Sequence, residues 1–271
     1  MSDESPIQAG EPLTIVQAIA NLDGEDLGLR GYAAWWLGKF RVNDPAAVTG
    51  LIAALKDEAD RTPEGGYPLR RGAARALGKL NDLQAVPALI ECLDCTDFYV
   101  REAAAQSLEM LGDPTCIPHL VQFLTASVES GKLLPHGADF SQPYDAILEA
   151  LGTLGATAAV TFIQPFLEHP IPRIQYAGLR SMYQLTQDTV YGDRLVQALT
   201  HSDLQVRRAL LSDLGAIGYL PAAVPISLAH AENSLKLIAL KGILAAQIVL
   251  SPFDRLSAGA VEVMQLMDEL L

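Results

Sequence analysis

Residues 70–77 read Arg70-Arg71-Gly72-Ala73-Ala74-Arg75-Ala76-Leu77, and the same skeleton stands at Arg30, Ala33, Ala34, Leu37 and at Arg101, Ala104, Ala105, Leu108. A polar or basic residue at position i is followed by small or apolar residues at i+3 and i+4 and an apolar one at i+7. These offsets share one face of an α-helix. Small residues at the centre of that face let a neighbouring helix come close. Weaker copies follow: Tyr144, Ile147, Leu148, Leu151; Gln175, Gly178, Leu179, Met182; Arg207, Leu210, Leu211, Leu214; and Lys236, Ala239, Leu240, Ile243.

The copies start 40, 31, 43, 31, 32 and 29 residues apart. A unit near 30 residues holds two helices and their turns. Before most copies lies another apolar helical stretch opened by proline, such as Val86-Pro87-Ala88-Leu89-Ile90, Ile117-Pro118-His119-Leu120-Val121 and Val224-Pro225-Ile226-Ser227-Leu228. Proline suits the first turn of a helix, where its missing N–H costs nothing. Each unit therefore reads as helix A, turn, helix B. One such pair cannot bury its apolar face alone, so the pairs stack. The expected fold is all-α, an α-solenoid of about seven two-helix repeats of the HEAT type. It forms a single domain over 13–271 behind a flexible acidic segment, 1–12. Two longer spacings place extra loops between helix A and helix B, at 57–68 and 126–143. Both are rich in Gly and Pro, and the second carries His136.

The 271 residues are 50% hydrophobic, enough for a sizeable core, and carry a net charge of −13. That balance argues against nucleic acid or an anionic membrane as partner. The first 29 residues hold six acids and no base, whereas residues 30–101 hold ten of the 19 bases. A local cationic surface on an acidic protein suits a modest anionic ligand or an acidic partner. Cys92, Cys95 and Cys116 are too few for a disulfide framework. The one C-x2-C lacks a second pair of zinc ligands and reads as buried structural thiols, with no metal site expected. No signal peptide or membrane span is visible. A soluble protein of a reducing, cytoplasmic compartment is expected. No nucleophile triad, P-loop or dinucleotide fingerprint is present.

Four residues before Arg30, Arg101, Arg207 and Lys236 stand Asp26, Asp97, Asp203 and Glu232. This spacing predicts an acid–base ladder that links stacked turns. Arg70 has Gly66 at that place, so it is expected to be freer to serve a ligand. A second row of helix B, at i+1 and i+5, runs Gly31/Trp35, Arg71/Arg75, Glu102/Gln106, Asp145/Glu149, Tyr176/Arg180 and Arg208/Ser212. It has the character of an exposed face. Trp35 and Trp36 lie about 100° apart on their helix, so at least one is expected to line a groove or an interface. Tyr32, Trp35, Trp36, Tyr67, Arg70, Arg71, Arg75, Phe98 and Tyr99 fall in three successive repeats. They would make an aromatic, cationic groove for a flat conjugated ligand bearing carboxylates.

The string Tyr32-Ala33-Ala34-Trp35-Trp36-Leu37-Gly38-Lys39-Phe40-Arg41-Val42, with Tyr67–Gly78 and Tyr99–Glu109, resembles the alpha subunits of heterodimeric phycocyanobilin lyases, the CpcE type. The resemblance runs over nearly the whole chain, and the related phycoerythrocyanin lyase-isomerase subunits are similar to it. It implies a second, HEAT-like subunit of the CpcF type as partner. It also implies phycocyanobilin as substrate with no cofactor, and a cysteine of the phycocyanin alpha chain as acceptor. The acceptor thiol adds to the ethylidene group of the bilin A ring to give a thioether. The setting is the cyanobacterial cytosol or a plastid stroma. On that basis Arg70, Arg71 and Arg75 are expected at the propionates, and Tyr32, Trp35, Trp36, Tyr67 and Tyr99 at the rings. Asp145 and Glu149 are expected as catalytic residues, pairing with pyrrole N–H groups or assisting proton transfer. The other readings are a HEAT adaptor without a ligand and a pigment chaperone that forms no bond. The C-terminal helix, Val261–Leu271, is expected to cap the stack or dock the partner.

Overall fold

A computed structural model describes residues 13–129, 131–134, 142–250 and 255–271. The chain divides into two compact units, Met1–Leu111 and Gly112–Leu271. The first holds helices α1 (Ile15–Leu22), α2 (Leu27–Lys39), α3 (Pro45–Ala54), α4 (Pro68–Leu80), α5 (Val86–Cys92) and α6 (Phe98–Leu111). The second holds α7 (Ile117–Ser127), α8 (Tyr144–Thr153), α9 (Val160–Ile163), α10 (Pro172–Thr186), α11 (Thr189–Ala198), α12 (Leu204–Ile217), α13 (Ala223–Leu228), α14 (Asn233–Val249) and α15 (Ala258–Asp268). Odd and even helices alternate as A and B, and α15 stands alone at the end. Strands β1 (Val128–Glu129) and β2 (Lys132–Leu133) pair antiparallel in the second long loop, where the sequence suggests only irregular chain. His136 and segment 1–12 lie outside the described residues.

Every residue at i+3, i+4 and i+7 of the seven copies is buried, from Ala33, Ala34 and Leu37 to Ala239, Leu240 and Ile243. Among the described residues no helix is long and apolar enough to cross a membrane. Prolines sit in the first turns of α5 and α7 as expected.

The residues at position i do not pair with the acids four places before them. Their donors go to main-chain carbonyls at the end of the preceding helix A. Arg30 Nε donates to Leu22 O at 2.8 Å, Arg101 to Cys95 O at 2.6 Å and Arg207 to His201 O at 2.6 Å. Gln175 Nε2 donates to Leu167 O at 2.9 Å and Lys236 Nζ to Ser227 O at 3.1 Å. Tyr144 does the equivalent through a 2.6 Å hydroxyl contact with Ser127. The last carbonyls of a helix lack intrahelical donors, and a long cationic side chain suits that place. The acids serve the opposite orphans. Asp26 accepts from Leu29 N, Asp97 from Tyr99 N and Asp203 from Gln205 N, each capping its own helix B. Links to the next turn do exist: Arg30 pairs with Asp57 at 2.7 Å, Asp97 accepts from Tyr67 N at 2.7 Å, and Arg207 donates to His230 O at 2.9 Å.

Glycine at i+8 sets how closely successive B helices stack. A Cβ on Gly38 would lie 2.8 Å from Ala76 Cα, and one on Gly78 would lie 2.9 Å from Ser107 Cα. One on Gly152 would lie 2.7 Å from Ser181 Cα, and one on Gly215 would lie 2.8 Å from Ala239 Cα. Such distances leave no room for any side chain. The residue that meets the glycine is itself small, and two of these, Ser107 and Ser181, clasp the preceding helix through Oγ donation to Ala74 O at 2.8 Å and Leu148 O at 2.5 Å. Position i+8 is not glycine on α6 (Glu109), α10 (Tyr183) or α14 (Leu244), and at the junction of α10 and α12 the facing i+6 position is Asp213. There the Tyr183 ring meets Tyr219 edge-on, with centroids 5.0 Å apart.

Candidate functional site

In the first unit the even helices α2, α4 and α6 pack in sequence and present one polar row. On α2, Tyr32 and Trp35 lie one turn apart and stack, with ring centroids 5.5 Å apart and planes inclined by 29°. Trp35 is 52% exposed and Tyr32 49%. Trp36 points elsewhere, half-buried against Phe40 at 4.9 Å. One of the adjacent tryptophans is therefore open to a partner and the other is packed. On α4 the guanidinium of Arg71 lies 5.7 Å from the ring centroid of Tyr99 on α6, itself 54% exposed. Arg75, one turn on, stays half-exposed while pairing with Glu102 at 3.8 Å. Phe98 braces Tyr99 edge-on at 5.5 Å. Tyr32, Trp35, Arg71, Arg75 and Tyr99 thus stand on three consecutive helices of one layer. Exposed aromatic faces beside guanidinium forks can hold a planar, anionic, conjugated molecule.

Two expected members belong to the scaffold. Arg70 is not the free base that Gly66 suggests. Its Nε donates to Asp57 O at 2.6 Å, its Nη2 pairs with Glu58, and its guanidinium lies 4.0 Å from the Tyr67 ring centroid. It follows the carbonyl rule of Arg30, Arg101, Gln175, Arg207 and Lys236. Tyr67 is 7% exposed, between Arg70 and Arg61, whose guanidinium lies 5.6 Å from its ring centroid. The extra loop before α4 is closed by hydrogen bonds from Gly66 N to Thr62 Oγ1 at 3.0 Å and from Leu69 N to Asp60 Oδ2 at 2.6 Å. Asp60 stands in for the side-chain cap that Tyr67, at the N-cap, lacks.

Asp145 and Glu149 lie in the second unit on α8. Asp145 is buried and ion-paired with Arg173 of α10. Glu149 pairs with Arg180 at 3.0 Å, and Arg180 also reaches Asp213 of α12 at 3.4 Å. This carboxylate–guanidinium–carboxylate chain spans three successive B helices. It floors a groove of about 390 Å³ lined by Glu149, Arg173, Tyr176, Arg180, Val206 and Asp213, among others. The groove lies where α10 and α12 lack the glycine contact. Burial raises the Tyr176 hydroxyl above its ordinary value, so it remains a proton donor at neutral pH. Arg180, Asp213 and Tyr176 escaped the sequence-based choice of site, although Tyr183 at a glycine position marks the place.

Among the described residues no three His, Cys, Asp or Glu side chains converge as a metal site. Burial pushes the Cys92 thiol up to about 12 and that of Cys116 up to about 11.

Comparison with known proteins agrees with this architecture. The family described as PBS lyase HEAT-like repeat matches residues 29–57, and that described as HEAT repeats matches residues 66–131. The phycocyanobilin lyase subunit alpha of Nostoc sp. PCC 7120 is 59% identical, covering 99% of this chain and 98% of its own. That of Microchaete diplosiphon is 63% identical, covering 98% of this chain and 92% of its own. Among solved structures, a chain in the complex of CpcE and CpcF of phycocyanin lyase from Nostoc sp. PCC7120 matches with a TM-score of 0.87. It is 58% identical, with 100% of both chains covered.

Proposed function

The chain belongs to the family of phycocyanobilin lyase alpha subunits, and we propose that it works as one half of a two-subunit lyase which binds phycocyanobilin, orients it and presents it to a cysteine of the phycocyanin alpha chain. The partner is a second lyase subunit, as in the CpcE and CpcF complex that this chain resembles. The observation that carries the bilin reading is the stacked, half-exposed pair Tyr32 and Trp35 on α2, with Arg71 and Arg75 on the adjoining α4 and Tyr99 on α6. Large rings left in water on the polar row of a helix are poor for folding and good for binding.

The chemistry asks little of this chain by way of bond making. The acceptor's thiol adds across the ethylidene group of the bilin A ring. A carbon–sulfur bond forms, the double-bond electron pair moves into the conjugated system, and the thiol proton ends on the bilin. No oxidant is consumed. Holding a flexible open-chain tetrapyrrole in one reactive geometry removes much of the entropic barrier. In this reading Arg71 and Arg75 take the propionates, and Trp35, Tyr32 and Tyr99 cover the ring faces. Trp36, packed on Phe40, and Tyr67, held between Arg61 and Arg70, belong to the scaffold instead. Of the two expected carboxylates of the second unit, Asp145 is buried in an ion pair with Arg173, and Glu149, paired with Arg180 but partly open, is the one assigned to pyrrole N–H groups or to the transferred proton.

The test is co-production of this chain, its partner subunit, a bilin source and the apo-phycocyanin alpha chain. Covalently pigmented acceptor is expected with the full set and absent when this chain is omitted. The double variant Arg71→Ala/Arg75→Ala is expected to weaken bilin binding by the purified pair at least tenfold. Unchanged affinity together with an unchanged visible band would remove both arginines from the site.

A further inference from the structure

The groove between α10 and α12 exists because a stacking rule is broken there. Four other junctions between B helices place a glycine at i+8 against backbone or a small residue at 2.7–2.9 Å. At this junction the pair is Tyr183 and Asp213. The larger side chains hold the helices apart, and the gap, about 390 Å³, falls within the usual range for small-molecule sites. Its floor is polar. Arg180 and Asp213 are both more than nine-tenths buried, and Arg180 bonds Glu149 at 3.0 Å and Asp213 at 3.4 Å. Burying such a chain of charges contributes little net stability compared with apolar packing. A stack that needed only cohesion would use Gly against Ala or Ser here, as those four junctions do.

The lining indicates the class of ligand. Helical walls leave no free backbone N–H or C=O for an extended peptide to pair with. What remains to read a ligand is side-chain chemistry: the Glu149 carboxylate, partly open while paired with Arg180, the Arg173 guanidinium, 57% exposed while paired with Asp145, the Tyr176 phenol, and the apolar Val206 and Ala209. Together these fit a flat ring edge that donates N–H groups, is apolar on its faces and carries a carboxylate nearby.

We propose that the α10–α12 groove is a second bilin-contact site, in which Glu149 accepts pyrrole N–H groups, Arg173 takes a propionate and Arg180 is a positioning residue that holds Glu149. The inference rests on the bilin-handling role given above, but it concerns residues of the second unit alone. Arg180 fixes one Glu149 oxygen, which leaves the carboxylate rotamer set before ligand arrives and lowers the ordering cost of binding.

The complex of the full chain with its partner subunit is titrated with phycocyanobilin, following the visible absorption band. Ser212 is exposed and lines the groove, so Ser212→Trp fills the space without removing an ion pair. It is expected to raise Kd at least tenfold with the melting temperature unchanged. Should it lower the melting temperature, Gln205→Trp fills the groove from a second exposed position. Glu149→Gln is expected to shift the long-wavelength band, because the group facing the pyrrole nitrogens loses its charge. Arg180→Lys should reproduce part of that shift with binding largely retained, an effect that a purely structural role would not give. Wild-type binding and attachment with groove-filled variants and Glu149→Gln all indistinguishable from wild type overturns this site and leaves the lyase role standing. Failure of the wild-type complex to bind bilin at all removes the underlying role and this site with it.

Discussion

The guanidinium of Arg70 donates to the carbonyl of Asp57 and lies over the ring of Tyr67, while that of Arg71, one residue and 100° further round α4, faces Tyr99. The two should therefore respond to truncation in opposite ways. Arg70→Ala loses a charge-assisted hydrogen bond, an ion pair and a ring contact and is expected to cost about 2 kcal/mol in urea unfolding. Arg71→Ala is expected to change stability by less than about 0.5 kcal/mol and to weaken bilin binding instead. The reverse pattern would mean that the two side chains have exchanged roles. From sequence the two look alike, because neither has a carboxylate four residues back. The real acceptors are main-chain carbonyls, which carry no sequence signature. The aspartates that suggested a ladder, Asp26, Asp97 and Asp203, act as helix caps. Exposure of one of the two tryptophans is legible, since neither lies on the buried stripe, but which one is open is not. The cysteines offer a second check at this scale. The reactive form is the thiolate, and a raised pKa keeps Cys92 and Cys116 as thiols until pH approaches about 12 and about 11. Alkylation of the native protein at pH 8, read by mass spectrometry, should label the part-exposed Cys95 first. Early labelling of Cys92 would contradict its burial.

Helix packing follows from three small or apolar positions per repeat and, in four of the seven copies, from one glycine. The buried stripe was fully legible because its 0, 3, 4, 7 spacing is a property of the helix itself. The glycine at i+8 was present in the sequence at 38, 78, 152 and 215, but its meaning appears only when the next helix is in place. This makes a contrast that intrinsic propensity would misjudge. Alanine is the better helix former by about 1 kcal/mol, so Gly→Ala should stabilise wherever space allows. Nothing lies within 4 Å of a Cβ on Gly31, and Gly31→Ala is expected to raise stability by about 0.5–1 kcal/mol. On Gly215 and Gly152 the same Cβ meets Cα atoms of the next helix at 2.8 and 2.7 Å. Gly215→Ala and Gly152→Ala are expected to lower stability by about 1–3 kcal/mol through overpacking. Thermal or urea unfolding of the three variants decides the matter, and stabilisation by all three would show that the close contacts are not limiting. The groove at α10 and α12 is the same rule read in reverse. It was missed because Tyr183 looks unremarkable until the other repeats define what should stand there.

A stack of repeats has to stop somewhere, and a terminal repeat with an apolar outer face is a liability unless it is covered. In the last repeat Leu244 occupies i+8 in place of glycine, so another helix B cannot approach at the usual distance. The lone helix α15 closes the end instead. Ser257 caps it through Ala260 N, Ala260 and Val263 are fully buried, and Asn233 of α14 donates to Leu270 O just past its far end at 3.0 Å. That makes α15 a cap, one of the two roles expected of it. Its other side leaves Val261 and Met264 exposed, close in sequence to exposed Val249, Leu250 and Leu256. The expected docking role would fall on residues of this helix other than the capping ones, and a truncation cannot separate the two, because removing α15 uncovers the core of α13 and α14. Ending the chain at Leu256 should lower the melting temperature by several degrees, given roughly 2–4 kcal/mol for the two buried side chains. It should weaken assembly with the partner subunit as a consequence. Val261→Glu/Met264→Glu leaves the buried side intact and should hold the melting temperature near the wild-type value. Its effect on complex formation, followed by size-exclusion chromatography, then reads the outer face alone. A weaker complex is expected, since exposed apolar side chains near the end of an array are the surface a second stack of helices can cover. An undiminished complex from a stably folded double variant would leave α15 with its capping role only.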